Sequence, residues 1–249
     1  DNRLIGEDIL RMAGFTSLCM ALVGIVAWSL GKVLGLERRL LMAVLLTTMF
    51  MNAGNMGIPV NLFAFGEDTT ALATIYFVTS AVLTYTLGVL IASSGTSNLR
   101  KAFVGLLKLP MIYALVLAIV FIMMDWELPL PIDRSVHLLA GGSIPSMLIL
   151  LGLQLQQANW KQYGLALGLS NAIRLLVAPV IALGLSGFLG LDGSVRQAGV
   201  MQSAMPSAVM TTVLATEYDA QPDFVTSAVF VSTLLSPLTL TPLMAYLNG

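Results

Sequence analysis

The sequence predicts an all-α protein that crosses a lipid bilayer several times, and three observations lead to this fold class. Only 10% of the 249 residues are charged, whereas soluble domains carry about 25%, and 57% are hydrophobic. The mean hydropathy is +0.88. Apolar runs long enough to span the hydrocarbon follow one another along the chain. Such a chain cannot cover a globule with polar side chains, so we expect an integral membrane protein surrounded by lipid.

Eight spans are predicted in order, because lipid-exposed backbone must be helical or in a closed barrel and these runs are too long for barrel strands. Short turns rich in Gly, Pro and charged residues separate the spans. None of these turns is long enough to separate independent domains, so we expect a single membrane domain. The expected spans cover residues 9–31, 39–65, 69–93, 101–124, 135–157, 162–190, 195–217 and 222–247.

Basic residues in the connections predict the orientation. The connections after the first, third and fifth spans carry seven Lys or Arg residues, and the connections on the opposite side carry three. The positive-inside rule places the richer side in the cytoplasm, so both termini are expected outside.

The composition also argues against several classes of function. A net charge of −1 creates no basic field, so we expect no nucleic-acid partner. Cys19 and His137 are the only residues of their types, which leaves no set of ligands for a transition metal. No nucleophile and base form a recognisable pair, so we expect neither an enzyme nor an organic cofactor.

A self-match suggests an internal repeat. The hexapeptide Phe-Val-Thr-Ser-Ala-Val begins at Phe77 and again at Phe224, and Pro59 and Pro206 are separated by the same 147 positions. The two prolines lie five predicted spans apart, so the copies cross the membrane in opposite directions, as in the inverted repeats of secondary transporters. We therefore expect a partial first repeat at residues 1–93, with an interrupted helix at 39–65, and a second repeat at 94–249, with one at 195–217.

The two interrupted spans are the strongest candidates for a binding site. Proline removes a backbone donor and glycine lowers helix preference, so the helix is expected to break within residues 52–61 and again within residues 202–207. Backbone groups freed there must line a cavity inside the protein or bond to polar side chains. An ordinary pair of proline kinks is the structural alternative. The candidate residues are Asn52, Asn55, Gly57, Pro59, Gln202, Ser203, Met205 and Pro206.

Arg174 lies near the middle of the sixth span, with Asn171 one turn before it. A guanidinium in the hydrocarbon costs at least about 2.5–3.5 kcal/mol, so we expect Arg174 to face the interior and to have a partner. The partner could be a carboxylate ligand, which matches the forked donor geometry, or the carbonyls of a broken helix. Both interpretations stay open at this stage. Asp and Glu residues lie near span ends, so neutral Asn and Gln groups fit a Na⁺ site better than a buried carboxylate relay does.

Three motifs lie in or near the interrupted spans. They are the pattern Asn52-x-Gly54-Asn55-x-Gly57-x-Pro59, the pair Met205-Pro206 followed by Glu217-Tyr218, and the run Ser232-Thr233-Leu234-Leu235-Ser236. In these motifs the chain resembles the auxin efflux carrier family, whose bacterial members are described as organic-acid permeases. The resemblance covers essentially all 249 residues in order.

The resemblance implies a ten-helix fold of two inverted five-helix repeats, related to sodium/proton antiporters and bile acid symporters. It also implies crossed broken helices at the substrate site, a transport domain that moves against a scaffold, a homodimer and a bacterial inner membrane. Eight predicted spans correspond to the family's helices three to ten, so a 3+5 arrangement without the first two helices is expected.

Together these features predict a secondary transporter or facilitator of small organic anions, either monocarboxylates or dicarboxylates, that works by alternating access. The expected site is the crossing of the two interrupted helices, with Asn171 and Arg174 nearby. Na⁺ or H⁺ is the expected coupling ion, and a Na⁺ ion is expected near Asn52, Asn55 and Gln202. The alternatives are a sodium-coupled symporter of larger amphipathic acids and a non-transporting membrane sensor or assembly module.

Overall fold

A computed structural model of the chain describes residues 2–93, 113, 117, 120–121, 124, 126, 128–155 and 163–249. Within these ranges the backbone is almost entirely helical. The α-helices are α1 (Asn2–Val33), α2 (Arg38–Met49), α3 (Ile58–Phe65), α4 (Glu67–Leu83), α5 (Val89–Ser93), α6 (Leu130–Leu155), α7 (Gly164–Ala172), α8 (Ala178–Phe188), α9 (Gly193–Ala204), α10 (Met210–Glu217) and α11 (Pro222–Asn248). Wider π-helical turns span Ala53–Gly57, Thr84–Gly88 and Ile173–Val177.

Four helical stretches of the described residues are long and apolar enough to cross a membrane. They are Asp8–Val33, Glu67–Ser93, Gly164–Phe188 and Pro222–Asn248, and they match the first, third, sixth and eighth predicted spans. The interrupted pairs α2–α3 and α9–α10 occupy the second and seventh predicted spans. Helix α6 overlaps the fifth, and the fourth, at 101–124, lies largely outside the described residues.

The described helices pack around a core shared by both ends of the chain. Helix α9 packs against α4, α8 and α1, and α1 also packs against α2 and α4. Close contact needs small residues where backbones approach. A Cβ at Gly199 of α9 would lie 2.8 Å from the ring of Phe15 in α1. Large apolar side chains such as Phe63, Phe188 and Leu238 are exposed on the outside, as expected for a surface that meets lipid.

Two helix ends have the same type of cap, and in both the cap sequence is Leu-Gly-Leu followed by an acidic residue. Gly35 and Gly190 adopt left-handed conformations, with φ of 67° and 63°. The amide of Leu36 donates to the carbonyl of Gly31, and the amide of Leu191 donates to the carbonyl of Ser186, at 2.9 Å in both cases. This is the six-to-one bond of a Schellman cap. The two caps belong to Leu34-Gly35-Leu36-Glu37 and Leu189-Gly190-Leu191-Asp192, which are 155 positions apart.

The helices recur at this second spacing. Helix α9 starts 155 positions after α2, both helices have 12 residues, and α11 starts 155 positions after α4 (193 − 38 and 222 − 67). The expected spacing of 147 does not align these helices. Phe77 is the eleventh residue of α4, whereas Phe224 is the third residue of α11. Phe, Val, Thr, Ser and Ala are common in membrane helices, so a short match can arise from composition.

The first interruption comes earlier than the prolines predict. Helix α2 ends at Met49, Phe50 is extended, Met51 lies in a β-bridge, and Asn52 turns the chain into the π-helical turn. Pro59 is the second residue of α3 and does not break the helix. The helix is continuous from Ala53 through Pro59, and the missing amide of Pro59 falls just after the wider π-helical turn Ala53–Gly57. The second interruption lies where expected, at Met205 and Pro206, between α9 and α10.

The cap at Gly35 provides a test of the local structure. Gly35→Ala should lower the free energy of unfolding by about 1–2 kcal/mol, because an L-residue is strained at positive φ. Gly14→Ala is the matched control in the same helix. A Cβ there meets nothing within 4 Å, so stability should stay equal or rise. Thermal unfolding in detergent measures both, and equal melting temperatures for the two variants would contradict the role of the cap.

Candidate functional site

The two interruptions cross and bond to each other through their backbones. The amide of Asn52 donates to the carbonyl of Pro206 at 2.8 Å, and the amide of Ala208 donates to the carbonyl of Phe50 at 2.9 Å. Met51 and Ser207 form an antiparallel β-bridge between these bonds. Each interruption therefore satisfies groups that the other has freed, as the absence of water in a bilayer requires.

Four half-helix ends meet at this crossing. Helices α2 and α9 end there, so their last carbonyls give the region partial negative charge. The turn leading into α3 and the start of α10 also lie there, and their free amides give partial positive charge. Side-chain hydrogen bonds to the carbonyl ends or to the amide ends would neutralise the corresponding partial charge.

Arg174 neutralises the two carbonyl ends. Its Nη1 donates to the carbonyl of Thr48 at 2.7 Å, and its Nη2 donates to the carbonyl of Ser203. Thr48 is the next-to-last residue of α2, and Ser203 is the next-to-last residue of α9. The side chain is 1% exposed. Of the two interpretations of this arginine, pairing with the carbonyls of broken helices is the one observed; direct contact with a ligand stays a prediction.

Hydroxyl groups near the two carbonyls that accept from Arg174 link the neighbouring helices to one another. Ser170 of α7 and Thr47 of α2 share a hydrogen bond of 2.7 Å, and Tyr76 of α4 and Ser203 share one of 2.9 Å. Ser207 donates to the carbonyl of Thr47 at 2.6 Å. This network fixes the position of Arg174 between the ends of α2 and α9.

Gln202 lies on the other face of α9 and holds the first interruption in place. Its Nε2 donates to the carbonyl of Ala53 at 3.2 Å and to that of Ala73 at 2.9 Å. Its Oε1 packs against Gly57 so closely that a Cβ at this position would overlap it. Gly57 thus matters because it leaves room for the Gln202 amide.

A cavity of about 280 Å³ opens beside the crossing. Its walls come from the first interruption, from α4 with its π-helical turn and from the start of α10. The lining residues include Asn52, Asn55, Phe77, Ser80, Thr84, Tyr85, Ala208, Val209, Met210 and Val213. No Lys, Arg, Asp or Glu is among the lining residues that the structure describes.

Asn52 is a lining residue of the cavity whose side-chain donor is buried and unpaired. The side chain is 4% exposed, lines the cavity, and its Nδ2 has no hydrogen-bond partner. The amide end of α10, at Val209 and Met210, lines the same cavity, as do the first residues of the turn that leads into α3. The cavity therefore meets the two positive half-helix ends, while Arg174 covers the two negative ones.

The other predicted residues lie around this cavity at different distances. Asn55 lines it, whereas Gln202, Ser203 and Met205 are buried in the wall behind it. Pro206 and Gly57 shape that wall. Asn171 lies elsewhere: it donates to the carbonyl of Leu167 and lines a separate, mostly apolar cavity of about 460 Å³ between α7 and α11.

The α4 wall of the cavity was missed by the sequence interpretation. Phe77, Ser80 and Thr84 follow one another at spacings of three and four residues, and Tyr85 lies eight residues after Phe77, so they share one face. A polar and aromatic stripe of this kind, on the span that follows a broken helix, was the available signal.

Comparison with known proteins agrees with these features. The family described as "Membrane transport protein" matches residues 5–244. An uncharacterised transporter of Methanocaldococcus jannaschii is 29% identical over 239 residues, which cover 94% of this chain and 77% of that protein. A Rhizobium meliloti protein named "Putative malonate transporter" is 26% identical, over 78% of this chain and 63% of its own. Auxin efflux carrier component 8 of Arabidopsis thaliana is 27% identical, over 59% and 42% respectively.

The contacts of Arg174 lead to a stability prediction. Arg174→Leu should lower the free energy of unfolding by about 3–5 kcal/mol or prevent folding, because it leaves two helix-end carbonyls buried without donors. Arg196→Leu is the control, since the Arg196 guanidinium bonds to Tyr246 at an exposed position and should contribute less than about 1 kcal/mol. Thermal unfolding in detergent compares them, and equal losses would contradict the capping role.

The contact between Gly57 and Gln202 leads to a second prediction. Gly57→Ala should displace the Gln202 amide and break its bonds to Ala53 and Ala73, with a loss of about 1–3 kcal/mol. Gly54→Ala, where the neighbour is the ring edge of Phe77, is the comparison within the same turn. Combining Gly57→Ala with Gln202→Ala should restore part of the loss. Additive losses in this double-mutant cycle would contradict the contact.

Proposed function

Because the chain belongs to the membrane transport protein family, which includes the auxin efflux carriers, we propose that it transports small organic anions through the cavity at the helix crossing. The chain is an integral membrane transporter and not an enzyme. The substrate class and the mechanism are the proposal. The observation that carries it is a cavity bordered by two half-helix amide ends and lined by Asn52, whose buried Nδ2 has no hydrogen-bond partner.

The charge of the site favours a monoanion. Each helix amide end acts as about half a positive charge, so two ends give about one positive charge in total. The lining contains no Lys or Arg among the described residues that could balance a second negative charge. A monocarboxylate matches this balance, and a dicarboxylate matches it after taking up one proton. Malonate and auxins, which appear in the names of two relatives, are both carboxylic acids.

The walls favour a small substrate with an apolar part. Phe77, Tyr85, Val209 and Val213 supply apolar surface, and Ser80 and Thr84 supply hydroxyls. A volume of about 280 Å³ lies below the usual range of about 300–1,000 Å³ for sites that bind drug-sized ligands. We therefore favour a small organic acid over a bulky amphipathic one.

We further propose that the described helices form two units of three membrane spans each, with inverted topology. The first unit is α1, α2–α3 and α4–α5, and the second is α7–α8, α9–α10 and α11. Their matched helix starts, their repeated Leu-Gly-Leu caps and the antiparallel bridge at the crossing support this arrangement. Inverted units would allow the crossing to face each side of the membrane in turn. A homodimer in a bacterial inner membrane with both termini outside, as the resemblance and the positive-inside rule suggest, is part of this proposal.

The proposed anion site makes a prediction about Asn52. Asn52→Leu keeps the side-chain size and removes the free donor, so uptake of a small monocarboxylate into proteoliposomes should fall about tenfold or more. Asn248→Leu, at the exposed end of α11, should leave uptake unchanged. Equal uptake by the wild type and Asn52→Leu, at equal amounts of folded protein, would exclude the proposed role of Asn52.

The proposed charge balance makes a prediction about pH. Uptake of malonate should increase as the external pH falls through the second pKa of malonate, because the monoanion becomes more abundant. Uptake of acetate or propionate, which are already monoanions over that interval, should change much less. Malonate uptake that is independent of pH over this interval would show that the dianion is accepted and would contradict the monoanion proposal.

A further inference from the structure

Three side-chain oxygens are buried without a hydrogen-bond partner on the far side of Gln202. They are Oδ1 of Asn61, Oγ1 of Thr69 and Oε1 of Gln202, and each residue is 0% exposed. An unpaired buried polar group costs about 1–3 kcal/mol, so three in one region need a partner.

The three residues belong to one interface, between α3, α4 and α9. Oε1 of Gln202 packs against Gly57, and Nδ2 of Asn61 donates to the carbonyl of that same glycine at 2.7 Å. Nε2 of Gln202 donates to the carbonyl of Ala73, which lies one turn after Thr69 on the same buried face of α4. Helix α9 packs against both α3 and α4.

The three unpaired atoms are all uncharged side-chain oxygens. The amide nitrogens of Asn61 and Gln202 already donate to carbonyls, so their oxygens are what remains. Thr69 differs from the threonines at 16, 48 and 84, which donate to the carbonyl four residues earlier. Four residues before Thr69 is Phe65, in the preceding helix α3, so the hydroxyl has no such acceptor.

We propose that Asn61, Thr69 and Gln202 form a site for a monovalent cation, with Na⁺ as its ligand. Uncharged oxygens replace the hydration shell of a hard cation. A divalent cation is disfavoured, because its desolvation cost rises with the square of its charge and the three residues supply no anionic ligand. The proposed Na⁺ site therefore shares Gln202 with the site expected from the sequence, but Asn61 and Thr69 take the place of Asn52 and Asn55.

The site also gives a route for coupling to the anion, which rests on the proposed function. Gln202 binds the cation through Oε1 and holds the carbonyl of Ala53 through Nε2. Ala53 lies between Asn52 and Asn55, which line the anion cavity. A bound cation would fix the Gln202 amide and, through it, the first interruption. By thermodynamic linkage, each ligand then strengthens the binding of the other.

The direct test measures cation binding to the purified full chain in detergent or nanodiscs, without any transport. Binding of radioactive Na⁺ should saturate, and competition by unlabelled Na⁺ should exceed competition by K⁺ or choline at equal ionic strength. Thermal stability should rise with Na⁺ over the same concentrations. Absence of saturable Na⁺ binding, which would indicate that the three oxygens bind only water, overturns the proposal.

A matched pair of variants localises the site. Thr69→Val removes a free oxygen at constant shape and should weaken Na⁺ binding roughly tenfold or more. Thr74→Val makes the same change on the same helix, where the hydroxyl is exposed and already donates to Thr70, and should have no effect. Asn61→Asp, which adds a negative charge, should strengthen Na⁺ binding. Equal affinities for Thr69→Val and Thr74→Val overturn the assignment even if wild-type Na⁺ binding is observed.

The test separates this inference from the proposed function. Na⁺ binding that is sensitive to Thr69→Val, with no carboxylate binding or uptake, supports the cation site and contradicts the anion proposal. Carboxylate uptake that is unchanged when Na⁺ is replaced by choline, together with no Na⁺ binding, does the reverse. The coupling itself requires that saturating Na⁺ lowers the Kd for the carboxylate, and an unchanged Kd overturns it.

Discussion

The structure depends on one constraint: backbone groups freed inside a membrane must find partners within the protein. Two helices are interrupted, and the interruptions meet so that Asn52 bonds to Pro206 and Ala208 bonds to Phe50. Neither interruption could satisfy these groups alone. The crossing therefore holds α2–α3 and α9–α10 together as one unit, although 155 residues separate the starts of α2 and α9.

Arg174 turns this crossing into an electrically asymmetric site. It donates to the carbonyl ends of both incoming helices, which removes their partial negative charge. The amide ends of the outgoing half-helices are left facing the cavity with Asn52. In the proposed transport of an anion, Arg174 would set the sign of the charge at the cavity without lining it. This explains how a cavity without lysine or arginine among its described lining residues can be suited to an anion.

Sequence reasoning located the interrupted spans closely but placed their breaks and their partners less well. The boundaries at 39–65 and 195–217 differ from the structure by at most two residues, because charged and glycine-rich turns mark the span ends. Pro59 marked the π-helical turn at Ala53–Gly57 that precedes it, but not the start of the interruption at Phe50. The hexapeptide at 147 was misleading because membrane helices reuse few residue types, whereas the Leu-Gly-Leu caps have a conformational reason to recur.

The sequence by itself determined that the chain is a helical membrane protein, where the two interrupted spans begin and end to within two residues, and which residues are too polar to face lipid. Composition and hydrophobic run length carry that information locally. Only the tertiary structure decided that Arg174 caps carbonyls, that α4 lines the cavity, and that Asn61, Thr69 and Gln202 keep free oxygens in one interface. These outcomes depend on which helix ends and faces meet across more than a hundred residues, and such long-range pairing is not encoded in any local pattern.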